Sequence, residues 1–422
     1  MLKKITENAT SLIVTVLGLI FLYIKFLLSE NLLVPETDEV VSINIFTDYR
    51  TIFLRYIPNN HFFTSLLGMI TNYIFGVNIV ILRSLSFVFL LLSIIHIHKN
   101  LQNKNIIILI LLAYSFDDLS MDYSFLFRGY FFSSFLLVII FFNLMDLDRE
   151  IKKIRIILIL SSLLIFHSLS NIYIVLPIIF VIGFKLLKNN KLVDLKYFLI
   201  PSLLLFSISI CLTGIYLNKN IVDINNVNYL LDVKNIYKIL YDGFNSIFFP
   251  NTGPKTLTGN FNEVFNISYY FLLLFLLVFI KLIYQVIKKN RSIEYVILLF
   301  FVCVILINKI PPERLIVSYA LFFILYIVYD LKFTSTKKMK IVLFFSFIIV
   351  ILNFSMHSFF TSSKIHLVKN DILKKIKVSN CELKLSSFKE FEYHYFYYKY
   401  LIECKKKPDV FIFYEFYKTR IE

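Results

Sequence analysis

Three carboxylates, Glu36, Asp38 and Glu39, stand in the stretch VPETDEVVSI directly after the first long apolar run of the chain. A carboxylate within hydrogen-bond reach of a hydroxyl takes its proton as that oxygen attacks, which is general-base chemistry. A second segment, SFDDLSMDYSFLFRGYFF, supplies Asp122, Arg128, Gly129 and Tyr130. The planar fork of an arginine pairs with phosphate oxygens and keeps its charge, so Arg128 suits a leaving phosphate. Asp122 and Arg128 are six residues apart, on roughly opposite faces of a continuous helix, so a turn between them or separate partners are required for both to serve one site. Gly129 lets something approach the backbone closely, and Tyr130 offers a hydroxyl. Asn60 and His61 stand just ahead of TSLLGMITNYIFG, whose helical apolar spacing with polar interruptions predicts a helix lying in a membrane interface.

The elements that must hold these residues are membrane spans. Of the 422 residues 58% are hydrophobic and only 17% charged, where soluble domains carry about 25% charged residues. Many runs reach the ~18 to 20 apolar residues that cross a bilayer. About eleven are expected, at 10–29, 79–97, 105–116, 129–145, 155–167, 171–187, 197–217, 268–287, 293–308, 314–331 and 340–359. The basic start MLKKITENATSLIVTVLGLIFLYIKFLL lacks a small-residue cleavage site and reads as a retained anchor. With the N-terminus inside, lysines and arginines gather in the inner segments, such as Arg149 to Arg155, Lys185 to Lys196 and Lys281 to Arg291. That is the positive-inside pattern, so the net charge of +16 reads as topology rather than as a nucleic-acid footprint.

Outer loops are then expected at about 30–78, 117–128 and 218–266, and the chain divides into a membrane domain over 1–360 and a small outer tail over 361–422. The tail is basic and aromatic, ends with the strand-like DVFIFYEF, and carries Cys381 and Cys404, which an oxidising compartment would let pair. Acidic residues concentrate in the loops, which argues against an ion-coupled carrier with ionisable groups near the midplane. No Gly-rich phosphate loop, zinc spacing or serine elbow occurs. Asp146 and Asp148 mimic the metal-binding pair of nucleotide-sugar transferases but sit in a short basic loop without strands, and His96 and His98 lack a carboxylate partner.

Taken in order, TDEVVSI, PNNHFFTSLLGMITNYIFG, ILRSLSFVFLLLSI, MDYSFLFRGYFFSSFLL and IPPERLIVSYALFFILYI resemble the C-type (GT-C) membrane glycosyltransferases. The nearest branch is that of the protein O-mannosyltransferases and aminoarabinose transferases, and the likeness runs over about residues 10 to 330. The resemblance implies an all-α polytopic bundle with interfacial helices in the first outer loop. It implies a polyprenyl-phosphate-linked sugar as donor, a lipid, glycan or protein as acceptor, and no nucleic-acid partner. The setting it implies is a bacterial plasma membrane with the active site on the outer side. In the family an acid of the first outer loop is the base, which falls on Asp38 here, with Glu39 as its neighbour. Asn60, His61, Asp122, Arg128, Tyr130 and Arg314 fall in its substrate-binding segments. A divalent metal is left open, and His61 falls where relatives carry polar residues near the donor phosphate or a metal. This chain has NNHFF where many relatives have His-Pro-Pro. The competing reading is a non-enzymatic translocator or assembly factor for lipid-linked saccharides, and acid placement separates the two: lip loops suit a transferase, midplane charges a carrier.

Overall fold

The computed structural model describes residues 18, 42–43, 47, 61–76, 78–101, 106–115, 126–148, 150, 152–188, 269–288, 291–307, 313–330, 345 and 348–349. Asp38, Glu39, Asn60 and Asp122 lie outside them, as do Cys381, Cys404, the tail and the expected span at 197–217. Among the described residues the chain is helical and contains no strand. The helices are α1 (Phe62–Phe75), α2 (Ile79–Asn100), α3 (Ile106–Ser115), α4 (Tyr130–Asp146), α5 (Lys153–His167), α6 (Ile172–Lys188), α7 (Tyr269–Lys288), α8 (Ser292–Ile307) and α9 (Glu313–Val328). Their bounds fall within a few residues of the apolar runs, because each run is predominantly apolar and polar or turn-forming residues bracket it.

The start of α2 shows the local cause. Asn78 accepts from the backbone N–H of Val80 (3.0 Å) and Ile81 (3.4 Å), satisfying donors that have no partner inside the helix. Just before it, α1 stops at Gly76, whose φ of +72° is a backbone state that residues with a Cβ rarely enter. Val80–Asn100, 21 residues of mean hydropathy 2.3, is long and apolar enough to cross a membrane. The other apolar helices described are shorter, among them Tyr130–Asp146 and Ile316–Val328.

Helix α4 is the hub, with buried residues around most of its circumference, from Tyr130 and Phe131 to Phe142 and Leu144. It packs against α2, α5, α8 and α9. Phe89 meets Phe132 and His96 meets Phe142, so α2 and α4 run in the same direction. Ser134 Oγ donates to Ser318 O (3.0 Å) near the start of α9, and Phe141 meets Phe322 and Tyr329 further along, so α9 runs that way too. Serines at such crossings let helix backbones approach closely while their hydroxyls find carbonyl partners.

The helix ends gather into two polar clusters, one at each end of α4. At the C-terminal end of α4 the Asp148 carboxylate receives the Lys185 ammonium from α6, together with the backbone N–H (3.0 Å) and hydroxyl (2.7 Å) of Ser292 at the start of α8. Beside it Arg291 donates to Glu294 Oε1 (2.8 Å) and Asp330 Oδ2 (2.8 Å), while Lys281 of α7 pairs with Asp330 (3.4 Å) and donates to Tyr326 O. Asp148 is therefore a structural anchor. The acids Glu294 and Asp330, which fall within the bounds drawn for two spans, belong to this end cluster rather than to helix middles.

Burial raises the Asp148 carboxyl, but hydrogen bonds from Lys185 and Ser292 outweigh it and hold the group below its ordinary value. A depressed folded pKa contributes stability above the unfolded value near ~3.9, lost as pH falls through the folded one. Asp148→Asn is accordingly expected to lower melting temperature at neutral pH and to flatten the loss of stability on acidification. An acid titration of thermal stability that is unchanged in this variant would contradict that assignment.

Candidate functional site

The opposite end of α4 carries the Arg-Gly-Tyr segment. Residues 126–129 form a bend and turn ahead of the helix, so Arg128 is off the helix and does not follow helical facing. The Arg128 side chain is only 2% exposed. Its Nη1 donates to Ser42 Oγ (2.9 Å), and its Nη2 lies 3.4 Å from the Tyr130 hydroxyl. The guanidinium also sits over the Tyr130 ring at 5.6 Å from its centroid. The turn is fixed from α2, where Ser86 Oγ donates to Leu126 O (2.7 Å) and Arg128 O (3.3 Å). Ile43, Leu82 and Phe127 form a small apolar cluster underneath.

His61 is the N-cap residue of α1, yet its side chain makes no capping hydrogen bond. The ring is buried, 4.8 Å from the Tyr130 ring and 5.3 Å from the His167 ring, centroid to centroid. Gly129 lies against both histidines: a Cβ there would overlap His61 Cβ and Cγ and come within 2.5 Å of His167 Nε2. The close approach expected at Gly129 is thus made by these two imidazoles. On α1 itself Gly68 admits Phe127 and Thr47 where a Cβ would stand, so the helix lies tightly on the turn.

Two residues of this end escaped sequence reasoning. Arg83, one turn before Ser86 on α2, is wholly buried. His167, the last residue of α5, is wholly buried and accepts from the Phe63 N–H at Nδ1 (3.2 Å) while its Nε2 lies 3.0 Å from Gly129 O. The available signal was position alone: each ends or begins an apolar run on the side that also bears Arg128. Around them Asn171 Nδ2 donates to Ser133 Oγ (3.1 Å) and Leu164 O (2.9 Å), and the Tyr319 hydroxyl donates to Ser170 O (2.7 Å).

Of the residues singled out in the sequence, His61, Arg128 and Tyr130 are brought together. Arg314 lies in the first turn of α9, and its side chain is outside the described residues, as are Asp38, Glu39, Asn60 and Asp122. Among the described residues no three of His, Cys, Asp and Glu gather as metal ligands. Both nitrogens of His167 are engaged by backbone, so the His61 and His167 pair is not built as a metal site. Compared with family models, characterised proteins and solved structures, the chain finds no match.

Proposed function

We propose that the chain is a polytopic membrane glycosyltransferase of the C-type kind, moving a sugar from a polyprenyl-phosphate donor to a hydroxyl at the outer face. The observation that carries this reading is the bond from Arg128 to Ser42. It brings the arginine of the second outer segment onto the stretch TDEVVSI, in which Asp38 stands four residues before Ser42. Four residues tether Asp38 within about 14 Å even when fully extended. Transfer from a lipid phosphate requires a base and a phosphate clamp near one another, and this tether supports that reading.

Membrane embedding is supported by what the bundle leaves uncovered. Leu276, Ile280, Ile283 and Tyr284 on α7, Phe180, Phe184 and Leu187 on α6, and Val88, Leu92 and Ile95 on α2 are exposed at helical spacing. Water does not favour such surfaces, and hydrocarbon does. Chain direction agrees as well: α6 and α7 both end at the charged cluster, and the apolar run 197–217 lies between them in the sequence. That cluster holds Lys185, Lys281 and Arg291, the inner residues of the positive-inside reading, at the end away from Arg128.

In this mechanism Asp38 takes the acceptor hydroxyl's proton as the acceptor oxygen attacks the anomeric carbon. The bond to the donor phosphate breaks, and Arg128 pairs with the charge that stays on the departing lipid phosphate. Polyprenyl-phosphate release from a synthetic donor by purified protein tests the reading. Asp38→Asn is expected to slow transfer by about a hundredfold or more, the usual weight of a general base. Transfer unaltered in both Asp38→Asn and Glu39→Gln would remove the proposed base.

A further inference from the structure

We infer that His167 is a positioning residue, a two-sided clasp that holds the N-terminus of α1 onto the Arg128–Gly129–Tyr130 turn. Its importance for transfer rests on the function proposed above; its role as a clasp does not. The Phe63 N–H belongs to the first turn of α1, where backbone donors have no partner within the helix. His167 Nδ1 accepts from it at 3.2 Å, so that nitrogen must carry a lone pair. Gly129 O can only accept, so Nε2, 3.0 Å away, must carry the proton. The two bonds fix the imidazole as the neutral Nε2–H tautomer and join segments 104 and 38 residues distant in sequence.

Packing makes the clasp tight. The Phe63 ring stacks on His167 with 17° between planes, and Phe132 of α4 closes over it at 4.6 Å. Gly129 has no Cβ to keep either histidine away. Moving His167 therefore moves both the turn bearing Arg128 and the helix headed by His61. The His167 imidazole is wholly buried and both of its nitrogens are taken by backbone groups, so it acts through these neighbours rather than on a substrate.

The test uses full-length protein in lipid nanodiscs. In wild-type protein carrying labelled histidine, the signals lost in His167 variants should show the neutral Nε2–H form by nitrogen magnetic resonance; an Nδ1–H or doubly protonated form would overturn the clasp. His167→Asn keeps an acceptor for Phe63, whereas His167→Gln keeps a donor for Gly129. Hydrogen exchange at Phe63 should stay slow in His167→Asn and rise by about tenfold in His167→Gln and His167→Ala, the factor that follows from one lost hydrogen bond. Equal exchange in all three variants would refute the inference whatever the transfer assay reports. With the clasp upheld, turnover should fall in His167→Ala with little change in KM. Absence of transfer by wild-type protein would count against the proposed function and leave the clasp standing.

Discussion

Replacement of Gly129 by alanine is expected to destabilise the protein by about 3 kcal/mol, the upper end of what forced overpacking costs. Conformation is not the reason. Gly129 has φ −75° and ψ 4°, a backbone state open to any residue. Space is the reason, because the new methyl meets His61 and His167, both buried and both boxed by aromatic rings. Since the chain has no tryptophan, thermal unfolding is best followed by far-UV circular dichroism. A second substitution sharpens the result. His61→Gly removes two of the three atoms a Cβ would meet, and glycine is tolerated at an N-cap. The double variant should recover part of the stability lost in Gly129→Ala, a non-additivity expected only of groups in contact. Full additivity would show that the two residues do not compete for the same space.

The other large effect is expected at the charged end. Arg291→Met leaves Glu294, 0% exposed, without its guanidinium, and takes two hydrogen bonds from Asp330. Breaking a buried ion pair from one side costs about 3–5 kcal/mol, because the remaining charge stays out of water. Burial disfavours the charged guanidinium of Arg291, but bonds to Asp330 and Glu294 outweigh it and raise its pKa. Removing Glu294 as well, in Arg291→Met with Glu294→Leu, should restore much of the loss, since an apolar replacement of both partners is often near neutral. Thermal melting of the two single variants and the double variant measures this coupling. A double variant no more stable than Arg291→Met alone would mean that Glu294 is not the partner that matters.

Sequence patterning located the helices well, because long apolar runs bounded by polar residues leave few other ways to satisfy the backbone. Individual ends were set by side chains such as Asn78, whose capping role is local and readable. The Arg128–Gly129–Tyr130 segment and His61 were legible as residues of unusual type at a span end, and they meet. His167 and Arg83 were not, because a histidine or arginine closing an apolar run looks like any other helix terminus. Their significance comes from partners far along the chain: the Phe63 backbone lies 104 residues from His167. The role of Asp148 was hidden for the same reason, its partners Lys185 and Ser292 lying 37 and 144 residues away. Spacing rules see contacts within one helix, whereas these contacts depend on which helices become neighbours.

The cluster at the C-terminal end of α4 also decides where the molecule can flex. Carboxylates and cations there rivet α6, α7, α8, α9 and the end of α4 to one another, several of the bonds shielded from solvent. A bundle riveted at one end can splay only at the other, like a sheaf tied near its base. Breathing large enough to admit a bulky guest is thus expected beside the C-terminal end of α1, where Tyr73, Ile74 and Phe75 are exposed, and not at its start, which His167 holds.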